Sequence, residues 1–436
     1  MPVRTVQVVG LDNERPYEPD MIFLGGMFPQ ASADWIQRNS KGNIHNAANV
    51  MQWNLVRGLA SHLGSKLNVV SSPFLGSFPK YFKKIRVPDF QLEIVSGAGG
   101  QGIGFLNLPG VKHVSRYFRL RRTLSAAIQT ARPPHAVIAY SFSAVMAFSL
   151  RRVKRLDPTI VTCLVVPDLP GFMNLSAKRS LPRKMLGKLL IKRLYKTLED
   201  VDCAVVLTEP MVSYMGFTKP HVVIEGIAPP SDAPDLDQSS TESPASSDTM
   251  IVYTGGLNAA FGVLELVQAF STLTDPSLRL VLCGVGDAVQ AIEEYATSDQ
   301  RIIYQGLLPH KEVVALQRQA TVLVNPRQNT EEYVKYSFPS KLMEYMVSGT
   351  PTVAYDLDGM PAEYREHLFI VPENDIASLA KTIQQVLAQS PAQRRDFGHR
   401  ARTFVQEQKN PEVQTKKILR MIDAVTTQRK ERYGRV

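Results

Sequence analysis

The chain has 436 residues, 44% of them hydrophobic and 21% charged. It is too long for one hydrophobic core and too apolar for a disordered polymer, so two globular domains are expected. Its net charge of +10 is uneven, with 29 Lys and Arg against 14 Asp and Glu over residues 1–230 and 21 against 26 over the remainder, which turns the N-terminal half towards an anionic surface.

Cys163, Cys203 and Cys283 each lie in or beside apolar runs, which predicts buried thiols in a reducing compartment. No HExxH or CxxC-type spacing joins the cysteines and histidines, so no metal site is expected. The opening MPVRTVQVVGLDNERPYEPD has no continuous apolar core and does not read as a signal peptide. The longest near-apolar run, 136–150, falls short of the roughly 20 residues of a membrane span and reads as a strand leading into a helix. These features place the protein in the cytoplasm.

Residues 1–20 read as a polar arm. Met21–Leu24 is a short apolar run that ends in Gly25-Gly26, and 44–63 shows helical spacing through Ile44, Ala48, Met51, Leu55 and Leu59. A strand, a glycine turn and a helix in that order begin a doubly wound domain, whose ligands gather at the carboxyl ends of the strands. Further strands are predicted at 67–71, 91–95, 136–141, 159–166, 203–207 and 221–224, separated by helix-length stretches. Asp168-Leu169-Pro170-Gly171 makes a turn just after one of them.

Residues 229–249 are rich in Pro, Ser and acids and read as a flexible linker. The strand pattern restarts at 250–256, 278–287, 301–306, 321–326, 350–356 and 368–371. Helices are predicted over 376–389 and 391–428, the last beginning near Pro411. The fold class expected is α/β, two doubly wound Rossmann-like domains over about 1–228 and 250–410, with a helix at about 411–436 that packs back on the first.

The stretch 325–351 holds the chemistry. After Asn325-Pro326 comes a polar loop with Arg327 and Lys335, then a helix starting at Pro339 or Ser340 and ending before Gly349. The free N–H groups of that start, with Ser337, Ser340 and Lys341 beside them, suit an anionic diphosphate. Glu344, four residues after Ser340, shares its face and can accept from two neighbouring hydroxyls, as a ribose presents. An ordinary helix with a solvated glutamate would look the same. GVGD at 284–287 is a second glycine turn at a strand end, but GxGxxG, GxxxxGK[ST] and GxSxG are all missing, which argues against dinucleotide dehydrogenases, P-loop enzymes and the usual hydrolases of this class.

Basic stretches occur at 80–86, 112–122, 151–155 and 178–196. In the last, Leu181, Met185, Leu186, Leu189, Leu190, Leu194 and Leu198 fall at helical spacing among cations. They form a stripe packed on its own domain with solvated charges, a surface that lies on anionic lipid, or both at once, with the stripe in the core and the basic rim on the membrane. RRM, KH and zinc signatures are missing, so nucleic acid is not an expected partner.

The segment NPR…EEYVKYSFPSKLMEYMVSGTPTVAYDLDGMPAEY resembles the donor region of bacterial family-4 glycosyltransferases of the capsular and exopolysaccharide type. MIVYTGGLNAAFGVLELVQAF, VVPDLPGFM, VVLTEPM and KPHVVIEGI are similar to other parts of those enzymes, so the likeness covers most of 21–425. It implies a GT-B fold, with its domains facing across a cleft, and a retaining, metal-independent transferase without cofactor. The implied partners are a nucleotide sugar and a saccharide or lipid-linked acceptor, to which the basic N-terminal half adds an anionic membrane surface at the inner face of the membrane. The implied donor-binding residues are Gly25, Gly26, Gly256, Gly284, Gly286, Gly306, Tyr336, Ser337, Phe338, Ser340, Lys341 and Glu344. Glu344, Lys341 and Arg327 are the catalytic candidates, joined by Asp168 on the acceptor side.

The chain departs from that family in three places. Tyr336 stands where the family's Glu-x7-Glu motif has its first glutamate, and 256–262 lacks the usual Arg/Lys pair. Ala139-Tyr140-Ser141-Phe142 lacks a histidine many relatives carry there. Two alternatives follow: a catalytically weak scaffold or activator of a partner enzyme, and a nucleotide-sugar epimerase.

Overall fold

The computed structural model describes residues 20–41, 46–129, 133–172, 181–229 and 249–433. The chain divides into two units, one formed up to Ile227 together with Pro411 onward, the other by Ala228–Asn410. The expected arm, most of the linker, Ile44 at the head of the first helix and the start of the 178–196 stretch lie outside the described residues.

The first unit runs β1 (Met21–Gly25), α1 (Gln30–Asn39), α2 (Asn46–Leu63), β2 (Leu67–Ser71), β3 (Arg86–Val87), β4 (Phe90–Gln91), β5 (Gly99–Gly102), β6 (Phe105–Leu106), α3 (Val111–Ile128), β7 (Ala136–Tyr140), α4 (Ala144–Leu156), β8 (Val161–Val166), α5 (Leu181–Lys196), β9 (Cys203–Val206), α6 (Glu209–Met215) and β10 (His221–Val223). Its eight strands lie in the order β10-β9-β8-β7-β1-β2-β5-β4, parallel except for β4. β1, β7, β8 and β9 are buried along their whole length, because helices cover both faces; that is why they read as continuous apolar runs. Cys163, Cys203 and Cys283 are free and buried.

The strand expected over 91–95 shrinks to Phe90–Gln91, followed by a 3-10 turn at Val95–Gly97. The place beside β2 goes to β5, whose sequence is GGQG. A Cβ on Gly102 would come within 2.2 Å of the Phe90 ring, and one on Gly100 within 2.7 Å of Leu92 Cβ. β5 is thus a strand because side chains are missing, and no search for apolar runs finds it.

The second unit runs β11 (Thr249–Gly256), α7 (Val263–Ser271), β12 (Leu278–Val285), α8 (Val289–Ser298), β13 (Ile302–Gly306), α9 (His310–Gln319), β14 (Val322–Asn325), α10 (Ser340–Ser348), β15 (Thr352–Tyr355), β16 (Phe369–Val371), α11 (Ile376–Leu387) and α12 (Pro391–Gln408). The strand order is β13-β12-β11-β14-β15-β16, all parallel. The order reverses between β11 and β14, the switch point where open α/β sheets leave a crevice for ligand.

A last helix, α13 (Pro411–Tyr433), belongs to the first unit and packs on α2. Ile418, Leu419, Ile422 and Val425 share a core with Leu55, Val56 and Leu59. Gln414 donates to Gly226 O at 3.0 Å, and Arg429 bonds Asp202, which Lys154 also reaches at 2.6 Å. The α2–α13 approach depends on Gly58, where a Cβ would meet Pro411 O at 2.1 Å. That oxygen is backbone and cannot step aside, so Gly58→Ala is expected to destabilise the protein by about 2 kcal/mol. Urea unfolding measures this; an unchanged midpoint would show that the helices part at no cost.

Candidate functional site

The expected site helix is α10. Pro339 precedes it in extended conformation, no side chain caps its first amides, and Gly349 at φ +77° ends it. Leu342, Met343, Tyr345 and Met346 face the core, which leaves exposed Ser340 and half-buried Lys341 and Glu344 on the other side. Among the described residues the Glu344 carboxylate has no hydrogen bond or ion pair. A half-buried carboxylate with no protein partner, one turn from uncapped helix amides, is open to a ligand.

Three loops meet α10 at the switch point, and glycine lets them approach. Gly255 has φ +142°, and a Cβ there would lie 1.7 Å from Lys341 Cε, so the lysine stem fills the space a side chain would take. A Cβ on Gly284 would lie 1.7 Å from Gly255 O, and one on Gly286 2.0 Å from Leu257 O. Hydrogen bonds clasp the loops after β11 and β12: Leu257 N to Val285 O and Ala288 N to Leu257 O, both 2.9 Å, and Ala259 N to Asp287 Oδ1, 2.8 Å. The hydroxyls of Tyr253 and Tyr304 donate to Gly256 O at 2.8 Å and Gly284 O at 3.1 Å.

Arg327 leaves β14 towards the same loops. Its Nη2 donates to Ser337 Oγ at 2.9 Å, and its guanidinium stands 5.1 Å from the Tyr333 ring centre and 5.7 Å from that of Phe261. Burial lowers its pKa, and its buried Nε has no partner. Lys335 turns instead to the Tyr336 ring and Glu332. Tyr336 and Phe338 are buried, Phe338 against Tyr364 with ring centres 5.0 Å apart. Their rings brace the loop from behind.

The second unit therefore brings together Gly256, Gly284, Gly286, Ser340, Lys341 and Glu344, with Arg327 and Ser337 beside the 256–262 loop. Gly306, at φ +69°, ends β13 opposite Cys283. Sequence reasoning passed over Val285 and Leu307, 47% and 75% exposed, which leave an apolar rim where β12 and β13 end. A large apolar residue beside a strand-end glycine is the signal that marks them.

Gly25, Gly26 and Asp168 belong to the first unit. Gly26 N donates to the buried Gln52 Oε1 at 2.7 Å, and Phe74 N donates to Gly26 O at 3.1 Å. Asp168 follows β8; its rim meets water, but surrounding protein desolvates the carboxyl and raises its pKa from 3.8 to about 6. Nearby Ser141, missed from sequence, has φ +88° and donates its amide to Val165 O. Strain of that kind at a strand end often marks a working site. Phe142, Tyr195, Tyr214 and Phe172 form a chain of ring contacts beside it, with centres 5.2 to 6.4 Å apart. Of the stripe expected on 178–196, Leu189 and Leu190 are 49% and 54% exposed and Leu198 is buried, while the side chains of Leu181, Met185 and Leu186 lie outside the described residues. Among the described residues no group of three or more His, Cys, Asp or Glu could hold a metal ion, and no helix is long and apolar enough to cross a membrane.

Residues 237–404 match the family model described as Glycosyl transferases group 1. That region holds α10 and the glycine loops around it. A 2-deoxystreptamine glucosyltransferase of Streptomyces kanamyceticus is 28% identical over 153 residues, which span 33% of this chain and 38% of that protein. Among solved structures, sucrose-phosphate synthase from Thermosynechococcus elongatus superposes with a TM-score of 0.62 at 17% identity, covering 93% of this chain and 99% of that one. The catalytic domain of starch synthase IV from Arabidopsis thaliana, bound to ADP and acarbose, gives 0.60 at 9%, covering 94% and 100%. The fold is that of the GT-B glycosyltransferases.

Two predictions follow from the geometry. Glu344→Gln should leave the unliganded thermal midpoint unchanged, because the carboxylate has no protein partner to lose; a clear drop would expose a structural role. The raised pKa of Asp168 means that the folded state binds its proton more tightly than the unfolded state does. Its stabilising effect, full below about pH 4, is lost as pH rises to about 6. Asp168→Asn should therefore stabilise the protein at about pH 8, on the order of 1 kcal/mol after allowing for solvent at the rim, and have little effect at about pH 4.

Proposed function

We propose that the chain is a retaining glycosyltransferase that moves a sugar from a nucleotide-sugar donor to a saccharide or lipid-linked acceptor, without a metal ion. The observation that carries this is the unpaired Glu344 one turn along from the uncapped amides of α10. The donor diphosphate would lie on those amides with Ser340, and Glu344 would accept from the ribose hydroxyls. Lys341, pinned against Gly255, and the desolvated Arg327 would face the β-phosphate. As the C1–oxygen bond breaks, negative charge grows on that phosphate; fixed N–H groups and cations stabilise it without rearranging. The acceptor hydroxyl bonds to C1 and its proton passes to the departing diphosphate. The bare backbone at Gly284 and Gly286 leaves room beside the sugar nucleotide, and the Val285 and Leu307 rim suits the flat face of a base.

In the first unit, the Gly25-Gly26 loop and Asp168 are our candidates for acceptor handling, with the ring cluster beside Ser141 as a platform for a sugar face. We place the reaction in surface polysaccharide or glycolipid synthesis, with the chain peripheral at the inner face of the membrane. Unpaired charges waiting at α10 favour a donor-binding enzyme over a scaffold that only supports a partner.

Incubation with UDP-, GDP- and dTDP-sugars should show slow donor hydrolysis. Lys341→Ala should lower kcat/KM roughly 100-fold, the scale of losing one stabiliser of transition-state charge. Glu344→Ala should act mainly through KM, by about tenfold, since it contacts a part of the donor that does not react. Binding of every donor without turnover of any would return the scaffold reading.

A further inference from the structure

Helix α3 is built inside out over its first two turns. The residues it buries include two cations: Lys112 donates to Leu75 O at 2.7 Å, and Arg116 donates to Ser72 O at 2.6 Å and Ser72 Oγ at 3.1 Å. Arg116 is stacked between the Phe74 and Phe105 rings, 5.3 Å from each centre. The face turned to water instead carries Val111, Val114 and Phe118, 42%, 53% and 55% exposed. Spaced at three and four residues, they form one stripe. Soluble helices place these residue types the other way round. The stripe also has neighbours of its kind. Leu106 N donates to Ser115 Oγ at 3.1 Å, and across the β3–β6 ribbon stands Ile85, with both Leu106 and Ile85 nearly half exposed. An open depression lined by Arg86, Leu106, Ser115 and Arg119 runs along the join.

The charges around this patch are of one sign. Residues 94–156 hold ten Lys and Arg and no Asp or Glu. Lys83, Lys84, Arg86 and Arg122 are exposed around the stripe. The acid at its border, Asp89, is neutralised by both its oxygens accepting from Arg119 at 2.7 and 2.9 Å.

We propose that the outward stripe Val111–Val114–Phe118 of α3, with Ile85 and Leu106 beside it, is the surface by which this chain docks on an anionic lipid bilayer. The inference rests on the reading above that the enzyme works at a membrane face, and it names the part that touches the lipid. Apolar side chains on a cationic field suit a bilayer: the chains enter the headgroup boundary and the cations remain at the phosphates. A second copy of this chain is a poorer occupant, because a twofold contact would set the same unneutralised cations against themselves.

The test is co-sedimentation of the full chain with vesicles of phosphatidylcholine alone or mixed with phosphatidylglycerol, across a salt series. Wild type should bind only the mixed vesicles, and less as salt rises. The double variant Val114→Asp/Phe118→Asp should bind them about tenfold or more weakly, while Leu189→Asp/Leu190→Asp on α5 should bind as wild type. All three proteins should keep the same thermal shift with nucleoside diphosphates, which reports the donor site separately. Three results would overturn the proposal. Undiminished binding by the α3 variant, or a loss confined to the α5 variant, would move the surface elsewhere and leave the membrane reading standing. No vesicle binding by wild type would remove the membrane reading as well, whatever the nucleotide shift shows. A wild-type dimer in light scattering that Phe118→Asp dissociates would make the stripe a protein interface.

Discussion

The second unit depends on one bare position. At Gly255 a side chain is replaced by the stem of Lys341, and the carbonyl of the same residue fills the space where Gly284 would have carried a Cβ. Two strand ends and one helix start are thereby drawn closer than any residue but glycine allows, and both glycines adopt backbone angles that L side chains avoid. The contact does two things at once. It fixes the lysine, whose long stem would otherwise be free, and it keeps side chains out of the crevice at the switch point. The clasp of Leu257 and Ala259 onto the β12 turn then holds the mouth open in a set shape, so the ordering cost is met during folding rather than when a ligand arrives.

Around that contact the charges are arranged with little mutual compensation. Lys341 and Arg327 stand without a carboxylate, and Glu344 without a cation. Were they paired with each other, each would be cheaper to bury and less useful. Arg327 shows the logic best, since aromatic rings flank it and a serine hydroxyl accepts from it, which stabilises the cation without cancelling its charge. By contrast Asp202 in the first unit is bonded by Thr162, Lys154 and Arg429. That carboxylate is satisfied and serves to fasten α13.

Much of this was legible in the sequence because parallel sheets buried on both faces write their strands as unbroken apolar runs. β1, β7, β8, β9, β14 and β15, buried along their whole length, announce themselves that way. α10 was legible from its proline start, its glycine stop and the four-residue spacing of Ser340 and Glu344, which puts the two on one face. β5 was not, because its requirement is the lack of side chains, and QLEIV drew the assignment that belonged to GGQG. Nor was Ser141, since a positive φ at a serine is imposed by its surroundings and leaves no mark in residue type. The rings of Phe142, Phe172, Tyr195 and Tyr214 come from four separate segments that only the fold assembles. Tyr336 and Phe338 are both buried, Phe338 in the core of the second unit, a placement that their contiguous motif does not reveal.

The inversion of α3 ties its two faces to different tasks through one rigid element. Inward, Lys112 and Arg116 grip the carbonyls of the 72–75 loop, which in turn meets the β1 turn through Ser72 N to Gly25 O and Phe74 N to Gly26 O. A neutral side chain could not hold two loop carbonyls from that distance, and a cation here costs desolvation strong enough to lower Lys112 to a pKa of about 8. That cost is accepted on the face nearest the Gly25-Gly26 loop, while the outer face exposes valine and phenylalanine that a core could have used. Both choices are unfavourable for an isolated soluble helix. They become consistent together when the inner face is a brace for the strand-end loops and the outer face has an apolar neighbour.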